Sequence, residues 1–137
     1  MKASTILATI TTLAATTLAA PSAATTLRRS TDSAPVVFKV QLTNDVSGKN
    51  ANADIIPNSG IQTFGQLFGA TFGNPVLATS LQAVTPGAGG NNVRCVVRNP
   101  AVYGDIYLNA WNTFVDLDGT PKAVPVDVTQ FTIACTL

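Results

Sequence analysis

The sequence contains no histidine and no glutamate. Ser-His-Asp and Cys-His catalytic arrangements, metal sites that use histidine, and His/Glu ribonuclease pairs are therefore excluded. Acid-base chemistry would depend on seven aspartates, a pair of which could in principle hydrolyse a glycosidic bond. Most of these aspartates lie in or beside predicted turns, where aspartate is favoured for its backbone hydrogen bonds. We expect a protein that is not an enzyme and that uses no cofactor and no metal.

Charged residues are also scarce, at 11% of the sequence. Beyond residue 29 the lysines and arginines are not clustered as a nucleic-acid-binding surface requires. The apolar stretch at residues 6–20 is too short and too rich in threonine to span a bilayer. These features predict no nucleic-acid partner and no stable membrane insertion once that stretch has been removed.

That stretch follows a lysine and precedes small residues, which predicts a secretory signal peptide over residues 1–20. Residues 21–29 end in Arg28-Arg29, the dibasic pattern that kexin-type proteases cut after, and are predicted to be a short propeptide. Residues 30–137 have the size of one domain. This chain of 108 residues (137 minus 29) carries five Lys/Arg against seven aspartates, so its formal charge is −2. We expect a secreted, extracellular protein.

The two cysteines of the sequence lie in runs that alternate apolar and polar residues, as strands do. Cys95 is in phase with Val93 and Val97, and Cys135 is in phase with Ile133, so both sulfurs are expected to face an apolar layer. In an oxidising compartment such a pair predicts a disulfide. Closing this loop would stabilise the fold by roughly 4 kcal/mol on a chain-entropy model.

Strand patterns recur through the predicted domain. Residues 45–53 are rich in turn formers and predict a surface loop that ends in a short strand stopped by Pro57. The clearest strand has four apolar residues in one phase: Val36, Phe38, Val40 and Leu42.

Three longer strands are predicted over residues 76–84, 106–117 and 123–137. The last two change their inward phase near residues 110–111 and 129–130, which predicts a bulge in each. About seven short strands predict an all-β fold, either an antiparallel β-sandwich or a small barrel.

Three Phe-Gly pairs recur at a spacing of four, with their rings at Phe64, Phe68 and Phe72. The spacing favours a short helix near residues 61–69 that ends at Gly69, although a strand would also place the rings on one face. Packing in the core is one interpretation of the rings. The other is an exposed patch that binds an apolar partner.

Tyr103, Tyr107 and Trp111 also recur at a spacing of four. Exposed aromatic rings could stack on sugars, and Tyr107 and Trp111 would share a face. Ordinary packing is the alternative interpretation.

Residues 116–120 spell Asp-Leu-Asp-Gly-Thr, the nucleophile motif of haloacid-dehalogenase-type phosphatases. Only 17 residues follow this motif and no βαβ pattern is present, so a hairpin turn at Asp118-Gly119 is favoured. Weak calcium binding by Asp116 and Asp118 stays open, although the closing glutamate of an EF-hand is missing.

Residues 40–52 and 113–119 resemble two stretches of a group of small secreted proteins from ascomycete fungi, many of them from plant- or insect-associated species. Phe114 stands where tryptophan is expected in that group, and some members carry additional cysteines. The resemblance implies a candidate effector or surface protein without an assigned activity.

Our first hypothesis is therefore a secreted, non-enzymatic effector or virulence factor that acts on a host protein. The alternative is a cell-wall or carbohydrate-binding protein that contacts a glycan through Tyr103, Tyr107 and Trp111. An aspartate-based hydrolase is the third hypothesis.

Overall fold

The structure, a computed structural model, describes residues 34–85 and 90–137. The predicted signal peptide, the predicted propeptide and its Arg28-Arg29 pair lie outside the described residues. In chain order the elements are β1 (Phe38–Asn44), β2 (Lys49–Ile55), β3 (Gln62–Thr63), α1 (Phe64–Phe72), β4 (Leu77–Ala78), β5 (Ser80–Thr85), a short 3-10 helix (Gly90–Asn92), β6 (Arg94–Arg98), β7 (Asp105–Asn109), β8 (Phe114–Asp116), β9 (Val126–Asp127) and β10 (Thr132–Thr136).

The strands of the described residues pair in antiparallel fashion into two four-stranded sheets and one small ribbon. Sheet A has the order β2-β1-β5-β8, sheet B has the order β3-β10-β6-β7, and β4 pairs with β9. Seven strands have three or more residues, and three have two. Inward side chains of both sheets belong to one hydrophobic core. The prediction of an all-β fold with one short helix is confirmed, and the two sheets sharing a core form a sandwich.

The alternation of residues along β1 determines which face of sheet A is buried. Phe38, Val40 and Leu42 are fully buried, whereas Lys39 and Gln41 point outward and are partly exposed. Removing each such apolar side chain from water contributes about 1.5–3 kcal/mol. Sheet B supplies the opposite side of the core with the buried residues Cys95, Val97, Leu108, Ile133 and Cys135.

The hairpin between β1 and β2 is tighter than the sequence predicted. Its turn covers only residues 45–48, closed by a 2.8 Å hydrogen bond from the Gly48 N–H to the Asn44 carbonyl. The predicted loop over residues 45–53 is therefore wrong in its second half, because β2 already begins at Lys49. Pairing with the regular strand β1 overrides the low strand propensity of this segment. Its inward residues are Ala51, Ala53 and Ile55.

Three stretches predicted as single strands are each divided in two. Residues 76–84 are interrupted at Thr79, between β4 and β5. The phase change near residues 110–111 is not a bulge, because β7 belongs to sheet B and β8 to sheet A. The predicted bulge at residues 129–130 is a turn between β9 and β10, where the Phe131 N–H donates to the Val128 carbonyl at 2.9 Å. The chain changes sheet at these positions, and phase alone does not distinguish that from a bulge.

The helix α1 begins with a capping box at Thr63. The Thr63 hydroxyl accepts the Gln66 N–H at 3.3 Å, and the Gln66 side chain accepts the Thr63 N–H at 3.2 Å. The helix continues through Gly69, where the sequence predicted its end, and stops at Gly73, whose φ of 91° suits glycine. Continuation is favourable because the added turn buries a third phenylalanine.

The phenylalanines of α1 face the core. Phe64, Phe68 and Phe72 are 0%, 1% and 7% exposed, and the first two pack edge to face with centroids 5.5 Å apart. A spacing of four on a helix places all three rings on one side, which here is the inward side. The interpretation as an exposed apolar binding patch is therefore wrong, and the rings are core residues.

Cys95 and Cys135 form a disulfide. The two residues lie directly opposite each other on the neighbouring strands β6 and β10, and both are buried. As predicted, the bond fastens β10 to a strand 40 residues earlier.

Candidate functional site

The outer face of sheet B carries a row of apolar side chains that crosses its strands. Ala134 on β10 lies beside Val96 on β6, which lies beside Tyr107 on β7. Ile61, just before β3, extends the row on the other side and lines the same shallow cleft of about 300 Å³. Ile61 is 69% exposed and Tyr107 is 58% exposed. We call these four residues the apolar row.

Polar residues border the apolar row on both sides. Two residues along β6 in one direction lies Arg94, between Thr136 and Asn109. Two residues in the other direction lies Arg98, flanked on the neighbouring strands by Thr132 and Asp105. Because alternate residues of a strand are about 7 Å apart, each arginine begins within one side-chain length of the row.

Arg98 is paired with a carboxylate. Its Nε and one terminal nitrogen donate to the two oxygens of Asp105 at 2.7 and 3.2 Å. The hydrogen bond with Arg98 lowers the pKa of Asp105, and the same bond raises the pKa of Arg98. An exposed ion pair contributes little to stability, but this one neutralises the charge at its end of the face.

Arg94 has a different environment. One of its terminal nitrogens donates to the carbonyls of Asn91 and Val93 at 3.1 and 3.2 Å. Its guanidinium carbon lies 5.0 Å from the centre of the Trp111 ring, which is a cation–π distance. The guanidinium is therefore held in place without a carboxylate among the described residues.

The turn between β7 and β8 holds Trp111 on this face. The Asn109 side-chain oxygen accepts the N–H groups of Trp111 and Asn112, both at 2.8 Å. The Asn109 N–H in turn donates to the Asn112 carbonyl at 2.9 Å. Trp111 is 71% exposed, so the turn presents the indole to solvent while Arg94 covers part of one of its faces.

Tyr103, the first aromatic residue of the predicted series, lies apart from Tyr107 and Trp111. Tyr103 is fully exposed on the loop before β7 and lines a separate cleft of about 430 Å³. Arg98 and Asp105 line that cleft too, and Arg98 also borders the cleft of the apolar row. Tyr103 and Tyr107 therefore lie on either side of the ion pair, whereas Trp111 lies at the Arg94 end.

The outer face of sheet A is polar by comparison. The Gln82 side chain donates to that of Gln41 at 2.6 Å, and Lys39 lies 3.4 Å from Asp54. Phe114 on the edge strand β8, 56% exposed, and Val84 on β5, 44% exposed, are apolar exceptions. The apolar row is therefore a feature of one face and not of the whole surface.

The aspartates of the Asp-Leu-Asp-Gly-Thr motif shape a turn. One oxygen of Asp116 accepts the N–H groups of Asp118 and Gly119 at 3.2 and 3.1 Å. Asp118 accepts the N–H and hydroxyl of Thr120 at 2.9 and 2.8 Å, and the N–H of Val124 at 2.8 Å. These hydrogen bonds, chiefly the one from Val124, lower the pKa of Asp118. Within residues 34–85 and 90–137 no three metal-binding side chains come together.

Sequence reasoning identified Tyr107 and Trp111 but missed Arg94 and Arg98 as site residues, and it missed the apolar row. Its signal is the register between β6 and β10, because the disulfide between Cys95 and Cys135 places Val96 beside Ala134. The predicted disulfide could therefore have fixed that pair. Ile61 is not detectable in the same way, since the pairing of β3 with β10 has no marker in the sequence.

These features define the class of the molecule: a disulfide-linked, two-sheet β domain with one exposed face that is apolar and aromatic. The chain matches no protein-family model, and no curated protein or solved structure shows significant similarity to it. The part of the chain that the structure describes contains no helix long and apolar enough to cross a membrane.

Proposed function

We propose that this is a small secreted, non-enzymatic binding protein that acts at a host interface as an effector. It contacts a host protein through the outer face of sheet B. The observation that carries this proposal is the apolar row with Arg94 and Trp111 at its border. Interfaces combine an apolar centre with a polar rim, and Trp, Tyr and Arg are enriched among their energetically dominant residues.

The side chains at the border of the face are already ordered, which favours binding. The Trp111 ring contacts Arg94, Arg94 is held by two carbonyls, and Arg98 is held by Asp105. A partner would therefore lose less side-chain entropy when it immobilises them, since that loss is about 0.5–1.5 kcal/mol for each flexible side chain.

Secretion is supported by three independent features. The sequence begins with a predicted signal, the buried disulfide is typical of oxidising compartments, and residues 40–52 and 113–119 resemble fungal secreted proteins. The effector role is inferred from the last of these features, because the resemblance implies a candidate effector or surface protein.

The proposal is tested by complementing a deletion strain with the wild-type gene, a Tyr107→Ala/Trp111→Ala variant, or a Gln41→Ala variant as a control on sheet A. We expect the deletion and the aromatic variant to reduce growth in the host while growth in culture is unchanged. Gln41→Ala should behave as wild type. Unchanged growth in the host, with altered growth only in culture, contradicts the effector role.

A second candidate is glycan binding, which the exposure of Tyr103, Tyr107 and Trp111 favours. Stacking on exposed aromatic rings is the chemistry that such binding would use. Retention of the protein on insoluble chitin and β-glucan measures it. We expect Trp111→Ala to abolish any retention, and the glycan hypothesis is wrong if the wild type is not retained or the variant is retained equally.

A further inference from the structure

The two arginines on the outer face of sheet B differ in charge balance. Arg98 is neutralised by both oxygens of Asp105. Arg94 has no carboxylate within 4.0 Å in the described residues, where Arg98–Asp105 and Lys39–Asp54 are the ion pairs. The Arg94 end of the apolar row therefore carries an uncompensated positive charge.

This charge is opposite to that of the remaining described surface. The outer face of sheet B holds Arg94, Arg98 and Asp105, for a formal charge of +1. Elsewhere in the described residues three lysines stand against five aspartates, for a formal charge of −2. Formal charge therefore favours the approach of an acidic group to this face over the remaining described surface taken as a whole.

We propose that the partner docks on this face with an acidic segment of a protein chain, a proposal that rests on the protein-binding function above. One apolar side chain of that segment fills the cleft over Val96 and Ala134, and a carboxylate pairs with Arg94. The row and Arg94 are separated by two strand residues, or about 7 Å, which is also the spacing of alternate side chains in an extended segment. The apolar and acidic residues of the partner segment are therefore two positions apart in its sequence.

A protein segment fits this surface better than an acidic polysaccharide. The side chains of Ile61, Ala134 and Val96 have no hydrogen-bonding groups. Sugar hydroxyls buried against them would lose hydrogen bonds to water without replacement, which is unfavourable. An aliphatic side chain gains from the same contact.

The test is an NMR titration of the secreted protein with a short capped peptide in which Thr alternates with Asp, Leu and Asp. Two matched peptides replace both Asp by Asn, or Leu by Ser. We expect the amide signals of β6, β7 and β10 and the Trp111 indole signal to shift with the first peptide. The Asn and Ser peptides should bind about fivefold more weakly, and added salt should weaken only the acidic peptides.

Protein variants separate the role of Arg94 from net charge. Arg94→Gln should weaken binding of the acidic peptide about fivefold. As a control, Lys49→Gln removes the same charge from the edge of sheet A. This control should change the affinity less than about twofold.

Several outcomes would overturn the inference. Equal binding of the Asp and Asn peptides, or unchanged affinity of Arg94→Gln, means that the face does not select a carboxylate, while the proposed binding face still stands. Absence of any shift, or shifts caused instead by polygalacturonate, also rejects a protein segment. Signals that move only on sheet A would contradict both this inference and the proposed binding face.

Discussion

Trp111 shows how a single exposed residue can be ordered without being buried. Hydrogen bonds of the Asn109 turn fix its backbone, and Arg94 lies against its ring. Neither contact removes the indole from solvent, so its contribution to folding is limited to the cation–π contact. Its position is therefore more informative about binding than about stability.

We predict that Trp111→Ala lowers the free energy of unfolding by less than about 1 kcal/mol, the value of an exposed cation–π contact. Urea denaturation followed by far-UV circular dichroism measures this, since the variant lacks the sole tryptophan. For comparison, Phe68→Ala removes a buried aromatic ring and should lower the free energy of unfolding by about 3–5 kcal/mol. A loss of several kcal/mol for Trp111→Ala would make the residue structural.

The turn aspartates give the fold an acid sensitivity. The pKa values of Asp118 and Asp127 are lowered by hydrogen bonds, the first chiefly from Val124 and the second chiefly from Thr129. Because the folded-state pKa lies below the unfolded value of about 4, this stabilisation is fully present above that pH. It is lost as the pH falls through the lowered folded-state pKa.

We therefore predict that the urea midpoint is constant near neutral pH and declines below about pH 4. Asp118→Asn/Asp127→Asn should be less stable than wild type at neutral pH and should show a flatter decline in acid. The midpoints at a series of pH values measure both effects. A wild-type midpoint that stays constant or rises in acid would contradict the assignment.

At the scale of the element, two glycines of α1, Gly65 and Gly69, have different roles. A Cβ at Gly65 would lie 3.1 Å from both the Thr129 carbonyl oxygen and its methyl carbon, whereas a Cβ at Gly69 meets no atom within 4 Å. Gly65 also donates its N–H to that carbonyl at 3.0 Å. Gly65 thus permits close packing of the helix on the turn before β10, and Gly69 only lowers helix propensity.

We predict opposite effects for the two substitutions. Gly69→Ala should raise the free energy of unfolding by about 0.5–1 kcal/mol, the difference in helix propensity. Gly65→Ala should lower it by about 1–3 kcal/mol, because the backbone must move. Thermal and urea unfolding of both variants measure this pair, and the same sign for both would contradict the packing role of Gly65.

The elements that the sequence predicted best are those in which pattern and pairing agree. In β1 the inward phase of Phe38, Val40 and Leu42 was sufficient. In β2 the pattern was present in Ala51, Ala53 and Ile55, but local turn chemistry obscured it until the pairing with β1 was known. The division between β7 and β8 depends on which sheet each strand joins, and local periodicity contains no such information.

At the scale of the whole molecule, the disulfide connects neighbouring strands of sheet B while enclosing β8, a strand of sheet A. The closed loop therefore contributes to both layers of the sandwich. For a domain with a typical stability of about 5–15 kcal/mol, such a constraint is a large share. The candidate face lies directly above this bond, on the outer side of the same two strands.

We predict that Cys95→Ala/Cys135→Ala lowers the free energy of unfolding by about 2–5 kcal/mol, because the unfolded chain gains the entropy of the opened loop. Urea denaturation of the wild type and the variant, both without reductant, measures the difference. A loss below about 1 kcal/mol, or detection of two free thiols in the wild type by mass spectrometry, would contradict the role of the bond.

The direct bond between β6 and β10 also determines how the domain responds to mechanical load. A pulling force applied between β1 and β10 passes from Cys135 to Cys95 through the covalent bond. The chain segment between the two cysteines, which are 40 residues apart in sequence, therefore bears no tension. Complete extension of the oxidised protein is therefore shorter than that of the reduced protein by roughly 140 Å. Strands β7, β8 and β9 are shielded from tension as long as the bond is intact.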